Sequence, residues 1–77
     1  MDVLETVQST IRRMTKGRVP SNGSVSLFES GLIDSFGILE LIASLEEELG
    51  VKVPDSELLP SRFETVDKIV AYFRPRL

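Results

Sequence analysis

The chain contains no cysteine, no histidine and no tryptophan. Without cysteine there is no disulfide and no thiolate metal site. Without histidine there is no imidazole base, no ordinary nucleophile–histidine–acid triad and no common zinc ligand. Paired carboxylates for acid–base chemistry remain, but the acids fall on surface-like helical positions rather than across a cleft, so chemistry of the chain's own is not expected. No apolar run approaches the roughly 18 residues a membrane span needs. The opening "MDVLE" lacks the basic-then-apolar layout of a signal peptide. These absences predict a cytoplasmic protein that neither inserts into a membrane nor holds a structural metal.

What is present suits one small folded unit. The 77 residues fall below the roughly 100–200 that a domain usually occupies, so a single domain over 1–77 is expected. A hydrophobic fraction of 42% is too high for a disordered tail. The net charge of −3 conceals an asymmetry. Between residues 29 and 57, Glu29, Asp34, Glu40, Glu46, Glu47, Glu48, Asp55 and Glu57 face Lys52 alone, a net −7, while the flanking segments carry +2 each. Such a patch repels phosphate backbones and disfavours nucleic acid. It would steer encounter with basic protein surfaces; the plainer reading is a solvated helix face.

Helical periodicity dominates. Residues 2–16 place Val3, Leu4, Val7, Ile11 and Met14 at helical spacing and leave Arg12, Arg13 and Lys16 outside. Asp2 with Glu5 fits a capping box, and Gly17 fits the C′ stop. Residues 17–33, with Pro20, Asn22, Gly23 and several serines, form a long loop. Its apolar Leu27, Phe28, Leu32 and Ile33 predict that it folds back over the core. A second helix is expected over 35–49, with Ile38, Leu41, Ile42, Leu45 and Leu49 as its buried stripe and Gly50 as its stop. After an extended exit, Asp55 is a candidate cap for one short helical turn ahead of Pro60. Ser61 with Glu64 is a candidate box, but Thr65 is the better cap for a last helix carrying Val66, Ile69, Val70 and Phe73 and ending at Pro75. No useful β alternation or internal repeat appears. The fold class is all-α: a small four-helix bundle of three main helices plus a short third one, with a long first loop.

The corner at "GLIDSFGILELI" (31–42) poses the functional question. Helix N-termini expose unpaired N–H groups and about half a positive charge. Ser35 can cap the helix, or it can present its hydroxyl to an enzyme that attaches a phosphodiester, which a helix end tolerates.

The stretch "LFESGLIDSFGILELIASLEEELGVKVPDSEL" (27–58) resembles the acyl carrier protein superfamily. The shared pattern is an apolar residue and Asp ahead of a modified serine, an apolar residue after it, a helix with Glu40 and Leu41, the acidic "LEEELG" and the "V-x-V-P" exit. Helix order and the long first loop extend the resemblance over essentially the whole chain. It implies that Ser35 receives 4′-phosphopantetheine from coenzyme A, through a phosphopantetheinyl transferase using Mg²⁺. It further implies a cargo held as a thioester on the arm's thiol, which would import the sulfur the chain lacks. A thiol of pKa about 8.5 is a competent nucleophile through its thiolate fraction. Tethering raises the local concentration of cargo at each docked enzyme.

The resemblance also implies that the second helix docks partner enzymes through carboxylates that meet Arg and Lys. By alignment these are Asp34, Glu40, Glu46, Glu47 and Glu48, with Glu46 lying close to the apolar stripe. Two positions depart from the usual pattern. Phe36 replaces a leucine, and Gly37 replaces the Asp common in fatty-acid carriers. Phe36 is either an exposed apolar contact for the transferase and partners, the favoured reading, or a partly buried anchor for the second helix. Gly37, which weakens a helix by up to about 1 kcal/mol relative to Ala, has either a packing or a recognition reason. The Asp-Ser-apolar-Gly form and "SELLPSRF" (56–63) look more like D-alanyl and other aminoacyl carriers than fatty-acid carriers. Partners would then be an adenylating ligase, or an acyltransferase or synthase. The expected state is a monomeric, stand-alone carrier, which the initial Met and the end just past Pro75 favour over a piece of a modular synthase. The competing class is an unprimed helical interaction module or regulatory subunit.

Overall fold

The computed structural model describes residues 2–20 and 22–77, and all of its regular secondary structure is helical, with no strand among the described residues. Helix α1 spans Val3–Met14, α2 Ser35–Leu49 and α3 Val66–Phe73. Two 3-10 turns, Asp55–Glu57 and Pro60–Phe63, occupy the place of the short third helix, and a third turn, Arg74–Arg76, follows α3. No helix is long and apolar enough to cross a membrane.

Local chemistry sets the helix ends. Asp2 caps α1 by accepting from Leu4 N–H at 3.1 Å, without a reciprocal bond from Glu5 among the described residues. The stop of α1 differs from the expectation at Gly17. Thr15 is the C-cap, and the left-handed residue after it is Lys16, at φ 58°. Gly17 comes one residue later and donates back to the Arg12 carbonyl at 2.8 Å. This is a Schellman closure with lysine at C′, where glycine would carry no Cβ penalty. The stop of α2 is the expected Gly50, at φ 69°. Thr65 caps α3 by accepting from Lys68 N–H at 3.1 Å, so the Ser61–Glu64 box is not used.

The region after α2 also departs from expectation. Asp55 does not cap: it is the first residue of a turn whose N-cap is Pro54, with no side-chain hydrogen bond there. Pro60 does not close the segment either, since it starts the second turn. A proline in a first turn gives up an N–H that would have no intrahelical partner anyway. That second turn contacts both α2 and α3, while α1 packs on both of those helices. Four helical pieces therefore surround one core.

The core runs from Val3, Val7 and Ile11 through Leu27 and Ile33 to the α2 stripe, Val53, Phe63 and the α3 residues. All five residues of the expected α2 stripe are buried. In α1, Leu4 is not core, being 38% exposed, and Thr10 is buried in the helix instead. Its hydroxyl returns to the Thr6 carbonyl at 2.9 Å, which satisfies the buried oxygen. Phe63 anchors an aromatic cluster, edge-on to Tyr72 at 5.1 Å between centroids. Over the far face of the cluster, the Arg76 guanidinium lies 3.8 Å from the Tyr72 ring centre and 3.7 Å from Glu57. Burial, with the Glu57 carboxylate adding to it, raises the Tyr72 phenol above its ordinary pKa.

The long loop is stitched down rather than free. Leu27 N–H donates to the Glu64 carbonyl at 2.8 Å, and Asp67 N–H donates to the Gly23 carbonyl at 3.0 Å. A Cβ at Gly23 would stand 2.0 Å from Asp67 Oδ1, so a larger residue there would have to turn the exposed Asp67 carboxylate aside. Ile33 N–H closes on the Leu27 carbonyl at 3.1 Å, which delivers the chain to the start of α2. Leu27 is wholly buried and is the loop's main plug. Leu27→Ala should cost about 2–5 kcal/mol in urea unfolding, whereas Leu4→Ala should cost less than about 1 kcal/mol.

Candidate functional site

The start of α2 resolves what the serine does there. The N-cap is Asp34, in an extended conformation, and its Oδ1 accepts from Gly37 N–H at 2.7 Å. The Asp34 carbonyl takes the next donor, Ile38 N–H, at 3.0 Å. Ser35 is the first helical residue, exposed, and no side-chain hydrogen bond involves its hydroxyl among the described residues. The cap belongs to the aspartate, and the serine is left over.

Gly37 has a packing reason. A Cβ at that position would stand 2.6 Å from Ile33 Cγ2 and 3.2 Å from the capping Asp34 Oδ1. Ile33 is nearly buried and cannot swing away freely. Only a hydrogen at residue 37 lets the loop's last apolar anchor and the cap carboxylate meet the first turn together.

Helical geometry sorts the acidic residues. Successive residues point about 100° apart, so neighbours in sequence face different ways. Phe36, Glu40, Ala43 and Glu47 fall on one outward stripe, and each is exposed. Phe36 is 78% exposed, and Leu39, at the stripe's edge, is 41% exposed. Glu46 turns to one flank, where its Oε2 accepts from Val53 N–H at 2.7 Å and ties the chain leaving α2 to the helix. Glu48 turns to the other flank and pairs with Arg13 of α1. Of the three consecutive glutamates, only Glu47 makes neither an ion pair nor a side-chain hydrogen bond among the described residues, and Glu40 is alike in this. The face beside Ser35 is thus mixed: two large apolar side chains with carboxylates between and beyond them.

Leu39 and Ala43 were missed in the sequence. Leu39 sits inside the run "ILELI", whose other apolar members are core, and its i+3 offset from Phe36 was the available signal.

A hollow of about 440 Å³ opens beside the serine, lined by Phe28, Gly31, Ile33, Asp34, Ser35 and Pro60. It joins the end of the long loop, the first turn of α2 and the Pro60 turn. A phosphodiester on Ser35 would meet the helix dipole, worth about 0.3–1 kcal/mol at an exposed site. The adjacent Asp34 carboxylate opposes it by a similar amount, since unit charges 4 Å apart in water interact by about 1 kcal/mol. For a phosphate at this corner the two effects would roughly offset each other.

The phosphopantetheine attachment site family model matches residues 2–73. This chain belongs to that family. It is 41% identical over 70 residues to D-alanyl carrier protein 2 of Lactiplantibacillus plantarum, covering 91% of this chain and 88% of that one. D-alanyl carrier protein 1 of the same organism matches at the same identity and coverage. The D-alanyl carrier protein of Streptococcus suis is 35% identical over 71 residues, covering 92% of this chain and 90% of the relative. The chain is a phosphopantetheine-dependent carrier, and nothing in these matches favours an unprimed interaction module. When bound, the prosthetic group supplies the thiol on which an acyl or aminoacyl group is held as a thioester.

Gly37→Ala separates packing from propensity. Alanine at an open helical site would gain about 1 kcal/mol over glycine. Here the crowding against Ile33 should turn that into a net loss of about 1–3 kcal/mol in urea unfolding.

Proposed function

We propose that the attachment point is Ser35 Oγ and that the stripe Phe36, Leu39, Glu40 and Glu47 is the docking face for the enzymes that prime, load and unload it. The observation carrying this reading is the division of labour at the corner: Asp34 satisfies the helix end, so the Ser35 hydroxyl is exposed and unengaged. Treatment with coenzyme A, Mg²⁺ and a phosphopantetheinyl transferase should add one phosphopantetheine by intact mass, and Ser35→Ala should abolish the addition. Because Ser35 makes no side-chain bond among the described residues, the variant should keep wild-type helicity, which excludes misfolding as the cause.

The chain binds and presents, and its partners do the chemistry. Phe36 and Leu39 supply apolar contact, and Glu40 and Glu47 steer basic partner surfaces toward the serine. Glu46 and Glu48 contribute negative potential from the flanks while holding Val53 and Arg13. Fully exposed carboxylates act mainly on encounter rate and are screened by salt. Glu40→Lys combined with Glu47→Lys should slow transferase loading about tenfold at low ionic strength. The deficit should shrink as salt is added, with unfolding unchanged.

For the cargo we propose a D-alanyl group, delivered by an adenylating ligase. The support is the 41% identity to carriers of that name, together with the Asp-Ser-apolar-Gly corner. Incubating primed protein with ATP, D-alanine and such a ligase should add one alanyl residue by mass. A fatty-acid synthase acyltransferase should add none. A single 1–77 domain working as a cytoplasmic monomer without catalysis of its own completes the proposal.

A further inference from the structure

The attached arm need not trail freely from the serine. We propose that the hollow beside Ser35 is a resting cradle for the first half of the arm, with the geminal dimethyl carbon, one methylene beyond the phosphate ester oxygen, seated against Phe28, Ile33 and Pro60. This rests on Ser35 being the attachment point.

Three features of the hollow select that occupant. Ser35 itself is part of its wall, so anything esterified there begins at the rim. The walls offer apolar surface from a phenyl ring, a branched aliphatic side chain and a proline ring, with no lysine or arginine among them. The one formal charge is the Asp34 carboxylate, already engaged as the helix cap. An anion is thus held off, and the phosphate stays outside on the serine oxygen. The next group along the arm is uncharged, compact and apolar, which suits the walls. Gly31 leaves one edge open, since no atom lies within 4 Å of where its Cβ would stand. About 440 Å³ lies within the range of small-molecule sites, roughly 300–1,000 Å³. The distal amide and the thiol remain in solvent, where a docked enzyme reaches them. Seating the proximal half would shorten the free tether and raise the thiol's effective concentration near the docking stripe.

The test compares the isotope-labelled apo and primed protein by nuclear magnetic resonance, after intact mass has shown complete priming. The expected result is nuclear Overhauser contacts from the arm's two methyl groups to the Phe28 ring and Pro60, with amide shifts at Gly31 and Ile33. Pro60→Ser and, separately, Phe28→Ser should lose those contacts while priming to the same mass. Pro60→Ser replaces a half-buried first-turn residue that makes no side-chain hydrogen bond, and keeps the test valid if Phe28→Ser unfolds. Shift changes confined to residues 34–37 would overturn the cradle alone, as would methyl contacts to Ile38 or Ile69 inside the bundle. No mass increase would overturn the attachment reading beneath it.

Discussion

One hydrogen bond organises the functional end of the molecule: the Asp34 carboxylate on Gly37 N–H at 2.7 Å. A helix N-terminus leaves donors that something must satisfy, and a short acidic side chain immediately before the first turn does it well. Once aspartate has that role, the following serine is free of it. The same bond explains the glycine, because the carboxylate and the Ile33 side chain converge where a Cβ would be. Cap, glycine and the proposed attachment serine are one local unit, held in place by the buried end of the loop.

The loop in turn depends on α3. Its carbonyl at Gly23 and its amide at Leu27 are paired with Asp67 and Glu64 at the far helix's start. Backbone bonds of this kind, together with the burial of Leu27, convert a stretch rich in serine and glycine into a fixed platform. The entry angle of α2 is consequently set by tertiary contacts well away in sequence, and with it the direction in which Ser35 points. The electrostatics follow the same logic. Three adjacent glutamates act in three ways: one anchors the chain leaving α2, one pairs with α1, and one is unengaged among the described residues. A charge run read as a block overstates the patch a partner meets.

Much of the fold was legible because its signals are local. The bounds of α2 follow from Asp34, the spacing of Ile38 through Leu49, and Gly50, all within one helix. The α3 cap at Thr65 was equally plain. The errors lie where two local solutions compete at similar cost. Lys16 rather than Gly17 took the C′ position, with both residues at positive φ, and two 3-10 turns replaced one capped turn after Pro54. Thr10 displaced Leu4 from the core because helix rotation is decided by what α1 packs against.

By itself the sequence determined the helices, the loop, the family and the candidate serine, since periodicity, capping residues and the Asp-Ser corner all operate within a few residues. Only the tertiary structure decided which group caps, which glutamates are free, that Leu39 faces outward, and that Phe28 and Pro60 meet beside Ser35. Those outcomes depend on the rotation of each helix about its axis and on contacts between residues distant in the chain. Burial of the whole core sets both, and no short stretch of sequence contains that information.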